Sequence, residues 1–354
     1  QLNHACAPNA AVLRYRDLFP AGEGAVSHPG SIAVLALPMA ALAMTTSAQA
    51  QEWTPSKSIE FIAPANPGGG WDTLVRTMSR VIQQESLADE SFAAINVPGG
   101  GGAVAWAQVA RDSGNPHKLF ATSPPMILVP LAGASRYDHT DFTPIARINT
   151  DYSIILVAAD SEYQTLDDLF EALKANPGLS VGGGSAPGSM DHISIAGLAS
   201  AAGMEASAVN YIPFSGGGDA MTNLMGGHIE AVIGGAGEAV GQLGEGSQLR
   251  ALGVSSEERL GGGLAEVPTY QEQGYDYTFD IWRGVMGAPE MPEEAVEYYE
   301  TLFAEMLETD AWREASDQLG WIDAYQDSET FGAFLDEQQA QFSSVLTDLG
   351  LLRQ

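Results

Sequence analysis

A single cysteine, Cys6, occurs in 354 residues, and Lys and Arg total only 15 against 45 Asp and Glu. One thiol, near the start of the chain and without the apolar context of a lipid-modified cysteine, excludes a disulfide framework and a cysteine metal site. The shortage of cations gives a formal net charge of −30. Residues 1–50 hold Arg14 and Arg16 against Asp17 and Glu23, which leaves 43 acids, 13 bases and the whole −30 to the remainder. Such a surface is repelled by nucleic acid and by anionic lipid, so neither is expected as a partner. The acidity reads as solubility in high salt, where self-repulsion is screened. A halophilic source is one expectation, and an ordinary acidic exported protein is the other.

Long apolar runs are missing as well. The run Ile32 to Met44, about 13 residues, is too short to span a membrane. It is followed by Ser47-Ala48-Gln49-Ala50 and then Gln51-Glu52-Trp53. A short apolar stretch ending in small residues predicts a cleaved secretory signal, with a mature chain starting near Gln51. Residues 1–30 have no evident role and read as upstream translation. No later segment is apolar enough to cross a bilayer, so a soluble, monomeric, periplasmic product is expected.

What is abundant is glycine, 40 residues of it, placed between alternating strand and helix patterns. Predicted strands cover Ile59–Ala65, Phe92–Val97, Lys118–Ser123, Thr143–Ile148, Ile154–Ala159, Leu179–Gly182, Val209–Phe214, Ile229–Gly234, Leu249–Val254 and Tyr277–Met286. Helices are predicted around Leu74–Ile82, Ala103–Arg111, Leu166–Ala175 and Ile193–Ala202, and from Pro292 to Leu351. This alternation predicts an α/β protein built on mostly parallel sheets. A crossing near residues 150–158 and a return near 275–282 would give two lobes. Residues 51–153 with 278–354 form the first and 154–277 the second; residues 1–50 lie outside the mature fold.

Four glycine-rich loops follow strands and precede helices, two in each expected lobe. They are Asn66-Pro67-Gly68-Gly69-Gly70-Trp71-Asp72, Pro98 to Gly102, Gly182 to Ser189, and Phe214-Ser215-Gly216-Gly217-Gly218-Asp219. Helix N-termini carry unpaired N–H groups and partial positive charge, and glycine lets backbone approach a ligand closely. The repeated unit is therefore an anion site in waiting. In a chain so short of cations, a carboxylate would have to be held by neutral donors. Simple tight turns are the plain alternative for any one loop. Asp72 and Asp219 fit helix capping, with a water-mediated ligand role as the alternative. Arg283, in Asp280-Ile281-Trp282-Arg283-Gly284, suits bidentate recognition of a polycarboxylate or a surface ion pair. Trp71 and Trp282 are pocket walls or core residues. His192 can donate one hydrogen bond; no nucleophile is indicated beside it, and no catalytic residue, metal or cofactor is expected.

The ordered set of these motifs resembles the substrate-binding proteins of tripartite tricarboxylate transporters. Asn66–Asp72 is similar to that family's first loop and Val97–Ala103 to its second. Gly184–Ser189 with His192, Tyr211–Gly217 before Gly226–Glu230, and Val267–Tyr270 with Gln273–Tyr275 continue the match over about 57–351. The resemblance implies a type II periplasmic binding-protein fold with the ligand in an interlobe cleft. It also implies a tricarboxylate such as citrate, or a dicarboxylate, delivered by lobe closure to membrane permease subunits. By position it makes Asn66, Pro67, Gly68, Gly69, Gly70, Trp71 and Asp72, together with Ser185, Ala186, Pro187, Gly188 and Ser189, the main contacts. Ser123, His192, Ser215, Gly216, Gly217, Gly218 and Arg283 join them as supporting ones.

Three rival readings differ in class. A nucleotide-dependent enzyme is suggested by Gly100–Ala105, which fits G-x-G-x-x-A, but no acidic residue for a ribose follows and no Gly-Lys-Ser/Thr occurs. A serine hydrolase is suggested by Gly183-Gly184-Ser185-Ala186-Pro187, but proline stands where the nucleophile elbow needs glycine. A sensor subunit presenting ligand to a signalling receptor would share the fold and the site.

Overall fold

The structure is a computed structural model, and it describes residues 53–348 and Leu352. The expected signal segment and the residues before it lie outside the described part. Ten strands are present among the described residues: β1 Ile59–Ala63, β2 Phe92–Asn96, β3 Lys118–Thr122, β4 Thr143–Ala158, β5 Ser180–Gly183, β6 Asn210–Pro213, β7 Ala231–Gly235, β8 Leu249–Val254, β9 Asp280–Gly287 and β10 Ile322–Gln326. The helices are α1 Gly70–Gln84, α2 Ala103–Val109, α3 Pro125–Leu131, α4 Leu166–Ala175, α5 Met190–Ala201, α6 Gly217–Met225, α7 Ala236–Ala239, α8 Glu293–Leu307, α9 Asp310–Leu319 and α10 Ser328–Asp348.

The strands form one curled sheet in the order β2-β1-β3-β9-β4-β7-β5-β6, with β10 and β8 also pairing β4. Each end of it is a parallel set, β2-β1-β3 and β6-β5-β7. Between these ends run β9 and β4, antiparallel to their neighbours. Parallel strands buried on both faces need apolar runs, and β1 and β3 supply them. In β4 the alternation is visible residue by residue. Ile155 and Val157 enter one core cluster and Ile154 and Leu156 another, on the opposite face of the sheet.

β4 corrects the sequence reading, which expected two strands broken near residue 149. It is one 16-residue strand. Its first part, Thr143–Tyr152, pairs β9, whereas Ser153–Ala158 pairs β7 and β8. The polar run Asn149-Thr150-Asp151-Tyr152-Ser153 looked like a loop, yet its backbone is paired throughout and Asn149, Asp151 and Ser153 are fully buried. The core clusters divide at the same place. One holds β1, β3, β9 and the C-terminal helices, including Phe303, Phe331 and Leu335. The other two hold the elements between β4 and β9.

Two further differences concern the C-terminal segment and the third strand. The tail from Pro292 is helical except for β10, which adds antiparallel to β4 beside Asn149 and Thr150. β3 is followed by α3, a short helix that starts on Pro125 and contains Pro130. Its prolines concealed it from a pattern reading. The remaining strand boundaries shift by only a few residues, because a glycine or proline ends most of these strands; β8 has the expected bounds although Ser255-Ser256 follows it.

Candidate functional site

The four glycine loops open at the carboxyl ends of β1, β2, β5 and β6, where ligands bind in open α/β folds. The two parallel sets run in opposite directions on either side of β9 and β4, so the loops of one set face those of the other. They converge on a cavity of about 270 Å³. Its wall is built from Pro64, Ala65, Gly69–Trp71, Gly99–Gly101, Ser123 and Pro125 on one side, with Gly184–Pro187, Met190, Asp191 and Pro213–Gly217 on the other; Glu238 and Arg283 complete it.

Each loop is fixed by its own hydrogen bonds. In the first, the Asp72 carboxylate accepts from the Gly68 amide at 2.9 Å, from Arg76 Nε at 2.8 Å and from Asn96 Nδ2 at 2.8 Å. Asp72 therefore braces the loop from behind and does not line the cavity. In the Gly182–Ser189 loop the Ser185 hydroxyl accepts from the Asp191 amide at 2.9 Å, and Tyr211 donates its hydroxyl to the Ser185 carbonyl at 2.7 Å. His192 accepts from the Gly188 amide through Nδ1 at 2.9 Å and stacks on Tyr211 with ring centroids 4.8 Å apart. It shapes the loop, and burial lowers its pKa.

The two sides of the cavity touch. Asn66 Nδ2 donates to Asp219 Oδ2 at 2.8 Å. Gly101 faces Ala186 so closely that an added Cβ would lie 3.2 Å from the alanine methyl. Gly101 also has φ +65°, a conformation that glycine adopts at little cost.

Arg283 lies under the cavity, 1% exposed, and donates to Asp151 Oδ2 at 2.6 Å. A Cβ on Gly70 would meet its guanidinium at 2.5–2.8 Å, and one on Gly235 would meet it at 2.8 Å. Glycine at these two positions lets the planar group lie flat between the loops. Asp151 also accepts from the amides of Gly237 and Tyr152. The arginine thus reaches the cavity, but its charge is already met by a buried carboxylate.

Two further acids face the same space. Glu238 accepts from the Gly235 amide at 3.1 Å, and its carboxyl presses against Gly217 at the start of α6. Burial pushes its pKa up to about 7, with Arg283 and the Gly235 amide opposing the rise and Asp151 adding to it. Asp191, 1% exposed in the first turn of α5, is also raised to about 7, first by burial and then by the Glu238 charge. Its Oδ1 has no hydrogen-bond partner, and neither do the buried Trp71 Nε1 and Ser123 Oγ.

Of the residues singled out from sequence, Gly69, Gly70, Trp71, Ser123, Ser185, Ala186, Pro187, Ser215, Gly216, Gly217 and Arg283 line the cavity. Asn66, Pro67, Gly68, Asp72, Gly188, Ser189, His192 and Gly218 sit behind or beside that wall. Glu238 and Asp191 were missed, and Gly99–Gly101, although in one of the four loops expected to face an anion, were not among the named contacts. Glu238 stands third after Gly235, a helix-start position, and in so acidic a chain nothing else marks it. Trp282, 1% exposed, is a core residue packed edge-on against Phe331 and Phe334. No His–Ser pair of hydrolase type forms at Ser185, whose hydroxyl neighbours are Tyr211 and the Asp191 amide. The G-x-G-x-x-A turn leads into a helix of only seven residues.

A curled α/β sheet crossed by two long antiparallel strands, with glycine loops enclosing a cavity at the strand ends, defines a solute-binding protein of the periplasmic type. The chain belongs to the tripartite tricarboxylate transporter receptor family, whose model matches residues 78–351. That is a family of receptors, not of enzymes. Among curated relatives, the "UPF0065 protein in tcbD-tcbE intergenic region" of Pseudomonas sp. (strain P51) is 29% identical over 272 residues, covering 73% of this chain and 76% of the relative. A TctC solute-binding protein from Polaromonas is 31% identical and superposes with a TM-score of 0.57, covering 83% of this chain and 99% of that one. The periplasmic binding protein BugD shares the fold with a TM-score of 0.77 at 22% identity, over 85% of this chain and all of its own. MatC from Rhodopseudomonas palustris, solved with bound malate, does so with a TM-score of 0.72 at 21% identity, over 82% and 99%.

Proposed function

We propose that this protein is a periplasmic receptor that captures a small carboxylate in the cavity and hands it to the permease subunits of a tripartite tricarboxylate transporter. The observation that carries this reading is the convergence of four glycine loops and two buried, unpartnered donors, the Trp71 indole N–H and the Ser123 hydroxyl, on one cavity. Charge-assisted bonds from backbone amides contribute roughly 1.5–3 kcal/mol each, enough for several to hold a small acid. The malate bound by MatC makes a dicarboxylate a natural first probe, and the family makes a tricarboxylate such as citrate another.

The lobes are residues 51–153 with 278–354, and 154–277, hinged where β4 passes from one strand set to the other. Capture is by closure, because both sets of loops reach the ligand only when the lobes meet. The wall residues touch the ligand. Asn66, Pro67, Gly68, Asp72, Gly188, Ser189, His192 and Gly218 hold the wall in place. Among the described residues no helix is long and apolar enough to cross a membrane, which agrees with a receptor that meets its permease at the membrane surface.

Isothermal calorimetry against citrate, tricarballylate, malate, succinate, benzoate and the protein amino acids tests the reading. One binding event per chain with at least one of these acids is expected. Silence across the whole panel overturns carboxylate capture.

A further inference from the structure

The ionisable groups on the cavity wall are unbalanced for a receptor of polyanions. Among the described residues Arg283 is its one cationic residue, and Arg283 is already paired with Asp151. That leaves Asp191 and Glu238, two carboxyls with no cationic side chain of their own. Both come from the wall built by residues 184–238. The facing wall, from the first two glycine loops and the end of β3, contributes no acid among the described residues. It offers the Trp71 indole N–H and the Ser123 hydroxyl, both buried and unpartnered, together with loop amides. The cavity is therefore bipolar, donor-rich on one side and acceptor-rich on the other.

Helix starts on the acceptor side are already served by the protein itself. Glu238 stands against Gly217 at the start of α6, and Asp191 lies in the first turn of α5. A ligand carboxylate placed there would face two carboxyls. A polyanion spanning the cavity would put one of its carboxylates in that position. The free oxygen of Asp191 instead calls for a donor, and it is 1% exposed, so solvent does not supply one freely.

Resting on the carboxylate-capture reading, we propose that the ligand is zwitterionic, with an ammonium group held by Glu238 and the free oxygen of Asp191 and a carboxylate held by the Trp71, Ser123 and loop-amide side. Glu238 is then the residue that selects amine-bearing acids. The groups facing it are Arg283 from β9, Asp151 from β4 and Asp191 from α5, with the amides of Gly235 and Gly70, so it has one cation for company and that cation is shared. With pKa values pushed up to about 7 by burial, these two carboxyls are only partly ionised in the empty site at neutral pH. An ammonium favours their ionised forms, so its binding releases protons. A carboxylate without an amine favours the protonated forms and takes protons up.

The experiment compares aspartate with succinate, 4-aminobutanoate with butanoate, and the remaining protein amino acids with citrate and benzoate. Calorimetry is run at pH 7 in two buffers of different ionisation heat, on the whole protein and on Glu238→Gln. The expected result is an amine-bearing acid bound at least tenfold tighter than its amine-free partner, with proton release. In Glu238→Gln that ratio should fall roughly 10- to 100-fold, as loss of one charge-assisted bond predicts. The ratio is internal to each variant, so a general loss of folded protein does not imitate the change. Binding confined to amine-free acids, or a ratio unchanged in Glu238→Gln, overturns the zwitterion proposal and leaves carboxylate capture standing. Silence with every probe overturns both.

Discussion

Glu238 is costly to keep charged, and the cost can be read as a pH dependence. Its pKa rises from 4.5 in an exposed chain to about 7 in the folded one, chiefly through burial. Between those values the folded protein holds a proton that the unfolded chain has lost. Stability therefore falls as pH rises through that window and stays lower above it. Replacing Glu238 by Gln removes the ionisation and keeps the shape. The variant should be more stable than the parent by about 1–3 kcal/mol at pH 8. The gap should close as pH falls toward 4.5, as thermal melts of both proteins at several pH values will report. Equal stability at pH 8 would mean that the carboxyl is better solvated than its surroundings suggest. Such a residue is nearly invisible in sequence. Among 45 acids nothing distinguishes the two that fold puts beside a cavity, because the distinction is made by desolvation, which depends on neighbours far along the chain. Arg283 was legible as a residue of interest. Its partner Asp151 was not, since it lies in a polar stretch that reads as loop.

At the scale of the loops and strands, the sequence was more informative. Strand, glycine run and helix follow one another in order, and local chemistry sets where each begins. The continuity of β4 was hidden because polar residues in a strand are explained only by what pairs and packs with them. β10 was hidden because it is short and mostly exposed, and Gly320, the left-handed cap of α9 just before it, reads equally well as a break between two helices. The glycines themselves do different jobs, and two substitutions separate them. At Gly184 an added Cβ would collide with backbone, the amide of Gly217 and the carbonyl carbon of Gly216, which cannot turn aside. Gly184→Ala should displace the start of α6 and cost about 1–3 kcal/mol, the range for overpacking. At Gly69 the backbone is extended, with φ −80° and ψ 165°, and the nearest atoms to an added Cβ are 3.2 Å and 3.4 Å away. A β-branched residue suits that conformation, so Gly69→Val should melt close to the parent while its methyls intrude on the wall. Loss of calorimetric binding in Gly69→Val, with the melt within about 1 kcal/mol of the parent, is the expected pairing. Normal binding by Gly69→Val would place the ligand away from the first loop.

For the whole molecule the dominant fact is a net charge of −30 carried entirely by residues 51–354. Attractive pairs that salt could weaken are few and mostly exposed, such as Lys174 with Glu171, Arg259 with Glu272 and Arg313 with Glu308. Exposed pairs contribute little, in the range of about 0–1 kcal/mol each. Among the described residues the one fully buried pair, Arg283 with Asp151, is shielded from dissolved ions by the protein around it. Repulsion among the remaining acids therefore outweighs attraction, and it acts more strongly on the compact state than on the expanded one. Screening shortens its reach from roughly 10 Å at 0.1 M salt to about 3 Å at 1 M. The melting temperature should accordingly rise by several degrees between 0.1 M and 1 M NaCl, and KCl at matched ionic strength should act alike. The same field opposes the approach of an anionic ligand, so association of a dianion such as succinate should speed up with salt, against the usual trend for attracted partners. A net-neutral zwitterion should arrive at a rate that salt hardly changes. Stopped-flow association measured beside the melts separates the two effects. A melting temperature that stays flat or falls with salt would show that the acids are spaced widely enough for water alone to keep them apart.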